Sequence, residues 1–332
     1  MKGISLIRSA RIGVRALRNY VAGKPLVVSF EVTHSCTCNC LHCDRGGEVR
    51  GENAIKPADY AALVSLLRPS VVQVSGGEPL LRGDVVDIVK AIKSCSNGFP
   101  YVILVTNGSL LDKEIYLKLK EAGVDRFSIS LDFPDERHNR FRRHPGLYAH
   151  LERTVPRLAA LGYDDIALNS AITRANLPCL VDLADKAEEW NVSISYSAYG
   201  ILRTGNRDFF IRPGKDLKVL HGMIQRIIQL KRRNGRVLNS IYQLMRTYEF
   251  FKRGFIPGCN AGRKFLVVRP DGYMIPCSMR PHSRVYSTQE EMLREFSDHN
   301  TCGECYVAIR AYSDKPLGML AKDSLSFAFN MF

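Results

Sequence analysis

Six stretches rich in β-branched residues recur between residues 26 and 197: LVVSFEVT (26–33), VVQVS (71–75), YVILVT (101–106), RFSISL (126–131), DIALNSAI (165–172) and VSISYS (192–197). Helical patterns with recognisable ends separate most of them. Pro57 opens one, Asp84 and Asp112 cap two more, Gly123 and Gly162 close two others, and Asn176 caps the last. Pro156 inside the fourth helix predicts a kink. Buried strands joined by helical crossovers require a parallel sheet of right-handed units. Six units fall short of the eight of a closed barrel, so the expected fold class is α/β, a partial (β/α)6 barrel over residues 25–205.

The flanking segments differ in character. Residues 1–24 form a basic amphipathic helix, with Leu6, Ile7, Ala10, Val14, Leu17 and Val21 on one face and Arg8, Arg11, Arg15 and Arg18 beside it. Such a helix either packs on the body of the protein or lies on an anionic membrane surface. Residues 206–256 read as basic linker helices, and 257–310 as a small C-terminal auxiliary-cluster domain containing a β-hairpin, in which KFLVVR and YMIP flank a Pro-Asp-Gly turn. A tail, 311–332, carries Phe327, Phe329 and Phe332. No apolar run is long enough to cross a bilayer, and the basic start lacks the unbroken apolar region and cleavage site of a secretory signal. The expected location is cytoplasmic, with peripheral attachment to the inner membrane surface as the option that the first helix raises. The net charge of +14 is spread along the chain without a nucleic-acid-binding motif, so nucleic acid is not expected as a partner.

In parallel α/β folds chemistry gathers where strands end. Here SCTCNCLHCD (35–44) follows the first strand, SGGEP (75–79) the second, TNG (106–108) the third and SLD (130–132) the fourth. NSAITRAN (169–176) and YSAYG (196–200) close the fifth and sixth. Ten cysteines are too few for a disulfide scaffold in 332 residues, and their clustering reads as metal ligation in a reducing compartment. Four thiols in eight residues would strain a tetrahedral zinc site. A [4Fe–4S] cluster suits a short loop, and Cys36, Cys40 and Cys43 would leave one iron without a protein ligand. Cys38 is then surplus, either buried and inert or an alternate ligand; Cys95 and Cys179 read as core residues.

With C-x3-C-x2-C, His42 before the last cysteine, and Gly76-Gly77-Glu78-Pro79 at the next strand end, the chain resembles the radical S-adenosylmethionine (SAM) enzymes over residues 27–200. The resemblance implies a SAM-binding cluster at Cys36, Cys40 and Cys43, with the backbone of Gly76 to Glu78, next to Pro79, holding the SAM amino group. It makes Asn107, Ser130 and Asp132 candidates for nucleoside and ribose contacts. It makes Arg142, in HNRFRRHPG (138–146), a candidate for the SAM carboxylate; Asn139 departs from the family pattern there, and Arg143 is an alternative.

Cys259, Cys277, Cys302 and Cys305 resemble the short "twitch" form of the family's auxiliary extension, related to the longer SPASM form. Their spacing is similar to the fully ligated twitch of the aminocyclitol-oxidising radical dehydrogenases, which implies a second [4Fe–4S] cluster used for electron transfer. Zinc is a rival for these four on spacing alone. The activity implied is reductive cleavage of SAM to a 5′-deoxyadenosyl radical, which abstracts hydrogen from an unactivated carbon, with net oxidation through the auxiliary cluster. A one-electron donor such as flavodoxin or ferredoxin is the implied partner. Tyr196, Ser197 and Tyr199 are candidates to face the substrate, against the reading that they are structural hydroxyls. An amphipathic small molecule or lipid ranks slightly above a peptide, because the residues before the barrel are too few for a leader-binding domain. The alternatives are a peptide maturase, an RNA-modifying radical enzyme, and a non-catalytic iron–sulfur electron carrier.

Overall fold

Alternation along each strand decides which side meets the helices. The computed structural model describes residues 6–95, 99–280 and 282–319, so the tail phenylalanines lie outside the described residues. After α1 (Leu6–Ala22) come β1 (Val27–Thr33), α2 (Pro57–Leu67), β2 (Val71–Gly76), α3 (Val85–Ser94), β3 (Tyr101–Thr106) and α4 (Lys113–Ala122). Next are β4 (Arg126–Ser130), α5 (Arg137–Arg142), α6 (Leu147–Ala159), β5 (Ile166–Ile172), α7 (Leu180–Glu189) and β6 (Ser193–Ala198). The chain continues through α8 (Lys215–Asn234), α9 (Ile241–Arg253), β7 (Phe265–Val268), β8 (Met274–Ile275), α10 (Gln289–Glu295) and α11 (Ala308–Ser313).

Val28, Phe30 and Val32, with Val72, Val74, Val102 and Leu104, are buried under the helices, where Phe30 meets Tyr60 of α2 edge-on at 5.2 Å. Each such side chain contributes about 1.5–3 kcal/mol on leaving water. The opposite, concave face carries small and polar residues at the alternate positions, among them Ser29, Ser75, Ser128, Ser195 and Asn169. Ser29 and Ser75 share a 2.8 Å hydrogen bond across it, and Ser195 donates to Asn169.

The strand order is β6-β5-β4-β3-β2-β1-β7-β8, parallel except for the β7–β8 pair, and the sheet stays open as a partial barrel. The Pro-Asp-Gly hairpin forms, with Gly272 at φ +86°. It does not make a sheet of its own: β7 runs parallel to β1, Val27 opposite Phe265, and covers the edge that β1 would otherwise expose. Leu26, Val27, Ala261, Phe265 and Ile309 form one apolar cluster, with Ala16 and Tyr20 of α1 packed against it. α11 packs on both β6 and β7, so the C-terminal segment spans the two ends of the barrel sheet.

Asp112 caps α4 through the Ile115 amide at 2.8 Å, and Gly123 closes it in the left-handed region. Two expected caps act otherwise. The Asp84 carboxylate pairs with Arg82 at 2.7 Å, and Asn176 donates to the carbonyls of Asp132 and Ala171 across the barrel top. Pro156 does lie within α6. α1 packs on the body: Asn19 is buried and donates to the Pro25 and Arg68 carbonyls at 2.8 and 2.9 Å. Among the described residues no helix is long and apolar enough to cross a membrane.

Candidate functional site: a cysteine loop at the strand ends

The loop after β1 is held by close backbone contact with the turn after β2. Gly77 and Glu78 donate their amides to the Thr33 and Ser35 carbonyls, both at 2.8 Å. A Cβ on Gly76 would lie 2.2 Å from the Thr33 oxygen, and one on Gly77 2.1 Å from the Ser35 oxygen, so only glycine fits at either position. The Glu78 side chain points inward. It is fully buried and accepts from the Leu80 amide, the Thr106 hydroxyl and the Asn107 amide, bracing the ends of β2 and β3. Burial raises its pKa against these three donors. Pro79 is buried and begins a single 3-10 turn.

The loop closes on itself where the Cys36 amide meets the Gly47 carbonyl at 2.9 Å, and it lies on α5, where Leu41 donates to the Phe141 carbonyl. His42 stacks on Phe141 with ring centroids 4.6 Å apart. Its Nδ1 is buried without a partner, and burial lowers its pKa to about 4. Cys38 is buried between Cys36 and Cys40, and its thiol hydrogen-bonds both. That contact lowers Cys36 and Cys40 to about 7 against burial, and it pushes Cys38 up. Burial also raises Cys43. Asn107 and Arg142 each reach a thiol at 3.7 Å, on Cys36 and Cys40 respectively.

Several predicted roles are altered by this geometry. Asp132 is inaccessible: one oxygen accepts the Ala171 amide at 3.0 Å and the other is gripped by Arg142 at 2.6 Å. Burial opposes ionisation, but the Arg142 guanidinium holds its pKa below the usual carboxylate range. Asp132 is therefore not presented to a ribose, and Arg142 is already paired. Asn107 is buried and bonded to Thr37, so it supports the cysteine loop rather than facing a nucleoside. Ser130 is half-buried on the concave face, opposite Asn169 in register. Arg143 is exposed, at φ +49°.

The three predicted substrate-facing hydroxyls are structural in placement. Tyr196 lies on the helix side and donates to the Leu180 carbonyl at 2.6 Å. Ser197 accepts the Ala308 amide at the start of α11. Tyr199 is tied to Thr204 and the Asn206 carbonyl.

Sequence reasoning missed the charges around the loop. Glu31, inward on β1, accepts from His34 and Arg45, each at 2.9 Å. Burial opposes its ionisation, yet the His34 hydrogen bond and the Arg45 charge bring its pKa down to about 2. Arg203, beyond β6, pairs with Asp44, and its Nη2 is buried without a partner. A lone glutamate inside the apolar run LVVSFEVT was the available signal.

Of the second cysteine set, Cys305 is buried and Cys259, Cys277 and Cys302 are half-buried. Burial raises Cys259 and Cys305 to about 12 and Cys277 to about 11. The buried Arg310 binds the segment together, donating to the Cys305 and Ile256 carbonyls at 2.6 Å and pairing with Asp314 at 2.7 Å. Gly200, just past β6, admits this segment: a Cβ there would be 3.0 Å from the Met279 methyl and 3.5 Å from the Cys305 Cβ. Among the described residues no three His, Cys, Asp or Glu side chains converge tightly enough for a single metal ion.

Residues 30–178 match the family model of the radical SAM superfamily. The AdoMet-dependent heme synthase of Methanosarcina barkeri is 30% identical over 284 residues, 77% of this chain and 78% of that protein. The chain belongs to the radical SAM superfamily. The probable GTP 3′,8-cyclase of Methanothermobacter marburgensis is 32% identical over 155 residues, 46% of this chain and 50% of its own length. Among solved structures, Streptococcus suis SuiB bound to S-adenosylmethionine superposes with a TM-score of 0.61 at 16% identity, over 85% of this chain and 65% of that one. SuiB bound to its precursor peptide SuiA gives the same score at 15% identity, over 93% and 69%. These likenesses agree with the fold class. A radical SAM protein uses a [4Fe–4S] cluster and SAM, and the donor set here fits: three motif thiols in one loop, with Asn107 and Arg142 each 3.7 Å from one of them.

Proposed function

We propose that this radical SAM enzyme carries out hydrogen abstraction from an unactivated carbon with net oxidation of the substrate. Cys36, Cys40 and Cys43 would hold the SAM-binding cluster, and Cys259, Cys277, Cys302 and Cys305 a second [4Fe–4S] cluster. When bound, these groups supply a 5′-deoxyadenosyl radical from SAM and, at the second cluster, a sink for the substrate's electron. An ammonium needs acceptors, and the Gly77 and Glu78 amides are already committed to β1 and the cysteine loop, so the carbonyl side of this turn is what the SAM amino group would meet. The observation that carries the two-cluster reading is the Arg310-bound cysteine segment seated against Gly200 at the end of β6. Its four thiols leave no iron open for substrate. A flavodoxin- or ferredoxin-type donor is the partner this reading requires.

The hydroxyl-lined concave face favours a substrate that presents a polar portion to the barrel. An amphipathic molecule does so with its head, and a peptide with its backbone. SuiB, which shares the fold, was captured with a precursor peptide, and this keeps a peptide substrate as the second reading. After anaerobic purification and reconstitution, iron and sulfide analysis should find about eight irons per chain. Incubation with SAM and dithionite should then release 5′-deoxyadenosine. Zinc in the second site, or about four irons, would remove the auxiliary cluster; intact SAM would remove the catalytic reading.

A further inference from the structure

We infer that the outward face of α1 is a docking surface for an anionic lipid bilayer. α1 is held to the body by one side only. Asn19 is buried, Tyr20 packs into the Leu26–Phe265 cluster under the Lys264 ammonium at 3.8 Å, and Arg15 lies over Phe99 at 4.5 Å. The other side is apolar and open to solvent: Val14 is 52% exposed, Leu17 44% and Val21 75%. At 100° per residue these three, Ala10 and the exposed Arg11 and Arg18 share an arc of about 120°. The face that packs on the protein is therefore not the face the apolar pattern marks, and among the described residues the apolar stripe has no protein partner.

Charge selects the occupant. The helix LIRSARIGVRALRNYVA contains no acidic residue, and Arg11 and Arg18 border the apolar stripe on one side. Lys24 and Arg68, at the end of the helix and beside it, are exposed as well. Two copies of such a face would oppose like charges, whereas anionic headgroups receive the arginines while Val14, Leu17 and Val21 enter the acyl boundary.

The docking has a direction. α1 lies against the N-terminal ends of the strands, bonding to Pro25 before β1 and to Arg68 before β2, while the cysteine loop sits at the C-terminal ends. Strands of five to seven residues separate the two ends by roughly 20 Å, so the catalytic rim faces the aqueous side. A substrate reaches that rim from water, not from within the leaflet that α1 touches.

The test is flotation of the full chain with vesicles of phosphatidylglycerol mixed with phosphatidylcholine, beside vesicles of phosphatidylcholine alone. The wild type should float with the anionic vesicles and be released by salt. Leu17→Ser with Val21→Ser should abolish flotation, and Arg11→Gln with Arg18→Gln should lower the partition coefficient by about 25-fold. Circular dichroism and iron content confirm that each variant is folded. Wild-type protein that stays in the soluble fraction, or variants that bind as well as wild type, would overturn the inference. So would a wild-type dimer that the apolar variants dissociate, because that assigns the face to a second copy. No SAM or substrate enters the measurement, so its outcome is separate from that of the catalytic reading.

Discussion

Glu31 is the residue on which both sides of the cysteine loop converge. It stands alone as a charge in β1, faces inward, and receives His34 from the loop's beginning and Arg45 from its end. A carboxylate held at about 2 rather than its ordinary 4.5 contributes stability that is fully present above the ordinary value and is lost as pH falls through the folded one. The excess stability of the wild-type apoprotein over Glu31→Gln should therefore be constant above pH 4.5 and shrink between there and about pH 2. Its size is on the order of 3 kcal/mol. Urea denaturation of both proteins across that range measures it. A difference that does not change with pH would mean the residue acts through packing alone. Asp132 and Arg142 carry the same lesson: the sequence marks both as chemical, but each is first a partner of the other.

At the level of elements, the strands and most helix ends were legible, because apolar periodicity and caps such as Asp112 and Gly123 act over a few residues. Pairings across long separations were not. Nothing local says that Phe265 will sit beside Val27, or that Asn107 will reach Thr37 and Cys36. The placement of Tyr196 was available in SISYSA: it shares parity with the buried Ile194 and Ala198, whereas the serines take the concave side. Arg310 was invisible for the first reason, since its partners at Ile256 and Cys305 meet only in the fold. Replacing it by methionine leaves the Cys305 and Ile256 carbonyls without this donor and the Asp314 carboxylate with Asn260 alone. Loss of one partner from a buried pair costs about 3–5 kcal/mol. Arg310→Met should therefore release the second cluster selectively, taking iron from about eight per chain toward about four while 5′-deoxyadenosine formation persists. Loss of all iron would mean that Arg310 itself supports the first site as well as the second.

For the whole molecule, the sequence suggests a barrel followed by a separate small domain from residue 257, and the sheet joins the two. β7 covers the edge of β1, α11 bridges β6 and β7, and Leu26 and Val27 share one apolar cluster with Phe265 and Ile309. Removing the chain from residue 257 onward would take Ala261, Phe265 and Ile309 out of that cluster, uncover Leu26, Val27, Tyr20 and Val71, and leave an unpaired strand edge. At about 1.5–3 kcal/mol per large apolar side chain, losing the cover of three or four of them approaches the 5–15 kcal/mol by which domains are commonly stable. Residues 1–256 alone should therefore aggregate or unfold without a cooperative transition, even with iron and sulfide supplied. A soluble 1–256 fragment with a sharp thermal transition would show that the barrel folds independently and that the hairpin only docks onto it. In the first case the auxiliary cysteines are built into the same folding unit as the SAM site, and their position beside β6 is fixed by the barrel's own stability.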